Sequence, residues 1–112
     1  MSIAGDLIRG HTDAVILARL RRGDSYGYEI NKTIVSLSDR RFELKEATLY
    51  TAFKRLEEQG LITSYWGDSG AGARRRYYTI TSAGREACHR LLEEWQETKE
   101  IMDKLLEVEE RI

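Results

Sequence analysis

Ala47, Tyr50, Thr51 and Lys54 are residues whose types and spacing suggest a chemistry. At roughly 100° per residue they fall on one side of a helix, while Leu49, Ala52, Phe53 and Leu56 fall on the other. The first set offers a methyl group, a phenol, a hydroxyl and an ammonium. Such groups, on a helix that hides its other side, suit base edges and phosphates in a DNA major groove. A second group, Arg74-Arg75-Arg76, leads into a strand-like run and could carry positive charge to a phosphate backbone. Covalent chemistry has no comparable support. Cys88 and His89 are adjacent, so on a helix they point roughly 100° apart, and His11 is remote from both. No cluster has metal-ligand spacing. The sequence therefore predicts no catalytic site, no metal site and no cofactor.

Several elements must hold these groups in place. Ile3 to Arg22 reads as one helix with a wide apolar arc, including Ile3, Leu7, Ala14, Leu17 and Ala18. Gly23 should end it, and Asp24 and Ser25 are good caps for a second helix from about Tyr26 to Leu37. The expected core side of that helix is Tyr28 or Tyr26 with Ile30, Ile34 and Leu37. Arg40 to Leu44 reads as a short extended segment. The helix carrying Tyr50 follows and stops at Gly60, a residue that tolerates positive φ. Leu61 to Gly67 and Tyr77 to Thr81 read as two strands, with a glycine-rich loop from Gly67 to Ala73 between them. Thr81 or Ser82 should cap a last helix reaching about Glu110. The order predicts a mainly helical chain with a small β-hairpin: a winged helix-turn-helix plus a long C-terminal helix.

That last helix would be ~40 Å long at about 1.5 Å per residue. A body of ~80 residues cannot cover all of it. Leu91, Trp95, Met102 and Leu105 form a stripe in heptad-like register, and Ile101, Leu105, Val108 and Ile112 form another. Burying one Leu or Met is worth ~1.5–3 kcal/mol, so the sequence predicts a second copy as cover. The expected dimer interface comprises Ile3, Leu91, Trp95, Met102 and Leu105.

Charge supports the same division. The 112 residues carry a net charge of −1, which alone argues little for nucleic acid. From Arg40 to Arg76, however, eight basic and five acidic residues give +3, while from Thr81 to Ile112 five basic and nine acidic residues give −4. The middle can meet phosphate and the tail should avoid it. No run is long and apolar enough for a membrane span, no signal peptide is visible, and the one cysteine fits a reducing compartment. A cytoplasmic location without membrane contact is expected.

The motifs Asp24-Ser25-Tyr26-Gly27-Tyr28-Glu29-Ile30, Glu46-Ala47-Thr48-Leu49-Tyr50, Lys54-Arg55-Leu56-Glu57-Glu58-Gln59-Gly60-Leu61-Ile62, Arg74-Arg75-Arg76-Tyr77-Tyr78 and Thr81-Ser82-Ala83-Gly84-Arg85-Glu86 occur in this order. Together they resemble the PadR family of bacterial transcriptional regulators, in its shorter subgroup. Ser64-Tyr65-Trp66-Gly67-Asp68 and Glu94-Trp95 are similar to its multidrug-sensing members. The resemblance implies a homodimeric repressor with residues 1–80 as the DNA-binding domain and residues 81–112 as the dimerisation helix. It implies that Trp95, with its copy, could hold a flat aromatic ligand in a central pore lined by Leu7, Gly10, Ala14, Ala18 and Leu92. Lys99 stands where the drug-sensing relatives carry an acid, so neutral or anionic compounds should bind at least as well as cations. Lys45 stands where a Ser or Asn cap is usual, which forgoes ~1 kcal/mol but adds a charge for phosphate. Thr51 stands in place of a common proline.

The expectation is thus a repressor of double-stranded DNA operators relieved by a planar aromatic ligand. Lys32, Lys45, Ala47, Thr48, Tyr50, Thr51, Lys54, Arg74, Arg75 and Arg76 are its expected DNA contacts. The alternative is a winged helix used as a protein-interaction module without a DNA target.

Overall fold

The computed structural model describes the backbone of residues 3–68 and 74–109, and the side chains of all of these but 3 and 4. The expected interface side chain of Ile3, the loop residues 69–73 and the stripe residue Ile112 lie outside the described side chains. The order is α1 (Ile3–Arg9), α2 (Thr12–Leu20), β1 (Ser25–Tyr26), α3 (Gly27–Leu37), α4 (Glu46–Glu58), β2 (Ile62–Asp68), β3 (Arg74–Ile80) and α5 (Ser82–Leu105). The result is mostly helical, with one small antiparallel sheet in the order β1-β3-β2. Among the described residues no helix is long and apolar enough to cross a membrane.

The single first helix expected from the apolar pattern is two helices. Gly10 and His11 form a turn between α1 and α2, and His11 N–H donates to the Ile8 carbonyl at 2.8 Å. Glycine is poor in a helix interior, and the Thr12 hydroxyl takes the Arg9 carbonyl at 2.7 Å instead of leaving it to the ladder. The break lets α2 bury Ile16, Leu17 and Leu20 in the main core.

Asp24 and Ser25 do not cap α3. Ser25 is buried in β1 opposite Tyr78, and Tyr26 occupies the cap position without a side-chain hydrogen bond. The Ser25 hydroxyl donates to Glu29 at 2.5 Å. A two-residue strand is too short to leave an alternating pattern, so the sheet gains a third strand that the sequence conceals. The inner side of α3 is Ile30 and Ile34, but Tyr28 and Leu37 stand in solvent rather than in the core. The segment expected to be extended, Arg40 to Leu44, joins no strand of the sheet, and its first residue, Arg40, has a positive φ of 65°. Asn31 holds the last residue of this segment: its amide donates to the Leu44 carbonyl at 2.8 Å and accepts from the Leu44 N–H at 3.0 Å. Phe42 and Leu44 are buried as a result, and this fixes where α4 begins.

Helix α4 buries Leu49, Ala52, Phe53 and Leu56, the stripe that its spacing predicts. Gly60 (φ 73°) ends it. Gly60 N–H bonds to Glu57 O and Leu61 N–H to Leu56 O, both at 3.0 Å, so the last carbonyls are satisfied as the chain reverses into β2. Phe53 then stacks on Tyr78 of β3, with centroids 3.9 Å apart and planes 17° from parallel. Burial raises the pKa of the Tyr78 phenol above its ordinary value.

Thr81 caps α5, accepting from Gly84 N–H at 3.0 Å while its own hydroxyl donates to the Gly60 carbonyl at 2.8 Å. One side chain thus ties the end of α4 to the start of α5. Beyond Leu92, every described residue of the chain is exposed, and α5 ends at Leu105, short of the expected Glu110. Trp95, Ile101, Met102, Leu105 and Val108 are the large apolar side chains left in solvent there, with Leu106 beside them.

The first turn of α5 has no spare room. A β-carbon on Gly84 would lie 2.1 Å from the Leu61 carbonyl oxygen, a backbone atom that cannot swing aside. Gly84→Ala should therefore cost at least about 1–3 kcal/mol despite its better helix propensity. Thermal melting by circular dichroism checks this; an unchanged midpoint would contradict the docking described.

Candidate functional site

Two surfaces collect the residues of interest, one around α4 and the sheet, the other between α2 and α5. On α4, Ala47, Tyr50, Thr51 and Lys54 are exposed, as is Lys45 just before the helix. Thr48 is half-buried and turns toward Arg9 and Thr12, with Ala47, Thr51 and Arg55 lining the same shallow groove. Helix α4 is held from behind by Asp13 of α2. The Arg55 Nε donates to Asp13 Oδ2 at 3.2 Å and a terminal nitrogen donates to Oδ1. This hydrogen bonding raises the Arg55 pKa above its ordinary value.

The sheet forms a wing beside that helix. In the β2–β3 register, Trp66 faces Arg76 and Asp68 faces Arg74. Arg74 and Arg76 lie against the Trp66 indole, 5.4 Å and 5.8 Å from its centroid. Arg76 also meets Glu57 of α4 at 3.6 Å. Arg75 points to the other face, where it lies 4.6 Å from the Tyr26 ring centroid and donates to its hydroxyl at 3.2 Å. Tyr77 stacks there on Tyr65, whose hydroxyl donates to Asp24 at 2.7 Å. This acceptor carboxylate raises the Tyr65 pKa.

A groove of about 720 Å³ runs between the wing and the two central helices, lined by Tyr28, Tyr50, Trp66 and Arg74 to Arg76, with Tyr26 and Gly27 at its floor. A second of about 490 Å³ lies between α3 and α4, where Lys32 joins Tyr28, Asn31, Glu43, Glu46 and Tyr50. Tyr28 and Tyr50 border both. Of the expected DNA contacts, these two grooves bring together Lys32, Tyr50 and Arg74 to Arg76; Ala47, Thr48 and Thr51 line the separate groove beside Arg9 and Thr12, and Lys45 and Lys54 are exposed outside all three. Sequence reasoning missed Tyr28 and Trp66 here. The exposed position of Tyr28 follows from where α3 begins, and that depends on β1.

The second surface is an apolar cavity of about 360 Å³ between α2 and α5. Ala14, Ala18, Leu91, Leu92 and Trp95 line it, together with Ile8, His11, Val15, Glu94 and Thr98. His11 meets the Trp95 indole edge-on at 5.4 Å and 67°. Leu7, Gly10 and Lys99 are exposed and lie outside this lining. The lining carboxylate is Glu94, one residue before Trp95. Among the described residues no group of three or more His, Cys, Asp or Glu is arranged to hold a metal ion.

The sequence pattern of the transcriptional regulator PadR-like family matches residues 16–90, from α2 through the wing into α5. The chain belongs to that family. Its fold agrees: a transcriptional regulator from Clostridium thermocellum superposes with a TM-score of 0.83 at 47% identity, covering 92% of this chain and 97% of that one. An uncharacterized protein of Lysinibacillus sphaericus is 45% identical over 105 residues, 94% of this chain and 96% of its own length. The negative transcriptional regulator PadR of Bacillus subtilis (strain 168) is 28% identical over 74 residues, which span 66% of this chain and 41% of that protein. PadR-like membership makes this chain a DNA-binding transcription regulator and not an enzyme. The wing and α4 are the elements of its fold suited to that task.

Proposed function

We propose that this PadR-like regulator is a cytoplasmic repressor that binds its operator as a homodimer and is released by a flat aromatic molecule held near Trp95. The observation that carries the reading is one shared groove. Tyr50, on the outward side of α4, and the arginines of β3 border a common groove, while the acidic residues concentrate in the segment after Thr81. Tyr50 and Thr51, with Ala47 and Thr48, would meet base edges in the major groove. Lys32, Lys45 and Lys54 would meet phosphate or base edges, and Arg74 to Arg76 would bring the wing to the backbone or minor groove. Repression is supported by similarity to the negative regulator of Bacillus subtilis.

The dimer is supported by the exposed stripe of α5, in which Leu105 is 72% and Trp95 48% accessible. A two-fold axis along that stripe would cover Leu91, Trp95, Met102 and Leu105 with their own copies. The ligand reading is supported by the cavity that small residues Ala14 and Ala18 leave beside an indole. A second indole across the axis would complete a slot for a planar ring, with Leu7, Gly10 and Lys99 nearer its mouth. Glu94 in the lining counterbalances Lys99, so charge selectivity among flat ligands should be weak.

Three measurements test these parts separately. Lys54→Ala and Arg75→Ala should each weaken duplex binding. Each should also lower the slope of log K against log salt by about one for every phosphate that a subunit no longer neutralises. Variants indistinguishable from the parent at every salt concentration would point to a protein-interaction module instead. Met102→Glu combined with Leu105→Glu should convert the dimer to monomers or unfolded chains in light scattering, because each would place an unpaired charge in an apolar seam. An intact dimer would exclude this seam. Planar dyes should quench tryptophan fluorescence saturably, and Trp95→Ala should weaken their binding about tenfold, equivalent to ~1.4 kcal/mol. Absence of saturable quenching would mean that the seam is filled.

A further inference from the structure

The α3–wing groove holds two large aromatic side chains that neither the DNA reading nor the core accounts for. Tyr28 is 68% exposed and Trp66 55% exposed. They stand on α3 and β2, with Tyr50 of α4 in the same groove. Gly27 makes this grouping possible. A β-carbon there would come within 2.9 Å of the Tyr50 hydroxyl and 3.5 Å of the Leu49 side chain, so its absence lets Tyr50 lie across the start of α3.

The charge of the groove is one-sided. Among the described residues its lining contains three arginines and no carboxylate. Arg76 is paired with Glu57, and Arg75 is held by the neutral Tyr26 phenol, so the lining keeps a net positive charge. Two guanidiniums lie against Trp66 and leave the rest of its indole to solvent. Apolar walls with cations between them match a deoxyribose-phosphate strand, whose sugars are apolar on one face and whose phosphates are anionic. Tyr50, an outward residue of α4, lines the same groove and links it to the helix that would read bases.

We infer that Tyr28 and Trp66 are DNA-contacting residues, forming the two walls of a groove that takes the sugar-phosphate backbone next to the base-reading surface of α4. The assignment rests on the DNA reading above. Tyr28 and Trp66 pack on deoxyribose, while Arg74 and Arg75 take the phosphates. Such contacts are independent of base sequence. They add affinity without releasing counterions, and this gives them a signature distinct from that of a lysine or arginine.

The test uses the full chain and a fluorescein-labelled duplex of arbitrary sequence, long enough for two half-sites, in anisotropy titrations over a range of salt. Saturable binding by the parent establishes the DNA reading first; its absence would remove that reading and this one with it. Given binding, Tyr28→Ala and Trp66→Ala should each weaken it about tenfold at every salt concentration, with log–log lines parallel to the parent's. Tyr28→Phe should bind like the parent, because the ring and not the hydroxyl makes the wall. Parent-like affinity in Tyr28→Ala, or a loss in Tyr28→Phe equal to that in Tyr28→Ala, overturns the assignment. A second readout covers a Trp66→Ala variant that folds poorly. In Trp95→Phe, Trp66 is the remaining tryptophan of the two, and saturating duplex should shield it from acrylamide. Unchanged quenching at saturation overturns its role as a wall.

Discussion

The stack of Phe53 on Tyr78 joins the two halves of this molecule. Phe53 belongs to α4 and Tyr78 to β3, so a single pair of buried rings fixes the helix that faces outward relative to the wing beside it. Both rings are almost inaccessible to solvent, and the core that surrounds them reaches back to Ile16, Leu17 and Leu20 of α2. On its other side Phe53 meets Tyr50 edge-on at 5.7 Å. An aromatic series therefore runs from the sheet through the core to the exposed surface. The position of Tyr50 is dictated by packing from below and by Gly27 from the side. Interiors at crystal-like density transmit such constraints without slack.

The sequence revealed what repeats and hid what occurs once. The stripe Leu49, Ala52, Phe53 and Leu56 recurs at helical spacing, so α4 and its outward residues were legible. Gly60 and Thr81 act locally, and both do what their types suggest. The turn at Gly10 and His11 was hidden because apolar residues continue on either side of it. Strand β1 was hidden because two residues carry no periodicity; it exists only through its partner Tyr77-Tyr78. That single pairing also displaced the expected caps Asp24 and Ser25. Tyr28 and Tyr26 are alternatives for the inward side of α3 by type alone; Tyr26 is the half-buried one, in β1, while Ile30 and Ile34 fill the helix's inward side. The candidate cavity was half legible. Ala14, Ala18, Leu92 and Trp95 line it, but His11 enters because the turn before α2 brings it over the indole.

Ion pairs play a lesser part in stability than in placement. Arg55–Asp13 and Arg76–Glu57 are partly exposed, and exposed pairs contribute ~0.2–1 kcal/mol each. Their effect is to orient long side chains near the surface proposed to meet phosphate. Glu57 holds Arg76 against α4, and Asp13 holds Arg55 back toward α2. Arg74 and Arg75 are left to project from the wing, one beside an indole and the other beside a phenol. The chain thus sorts its basic residues into those that anchor and those that reach.

The bare second half of α5 bears on dosage. A chain that covers such a stripe with its own copy has a folding free energy that contains a concentration term, because association favours the folded form by mass action. At low abundance more chains are single, with an exposed apolar helix open to proteolysis; at higher abundance they protect one another. A regulator built this way has a threshold in its own copy number, below which it is both unassembled and short-lived. The 24 residues of α5 would then meter the supply of the protein as well as join its halves.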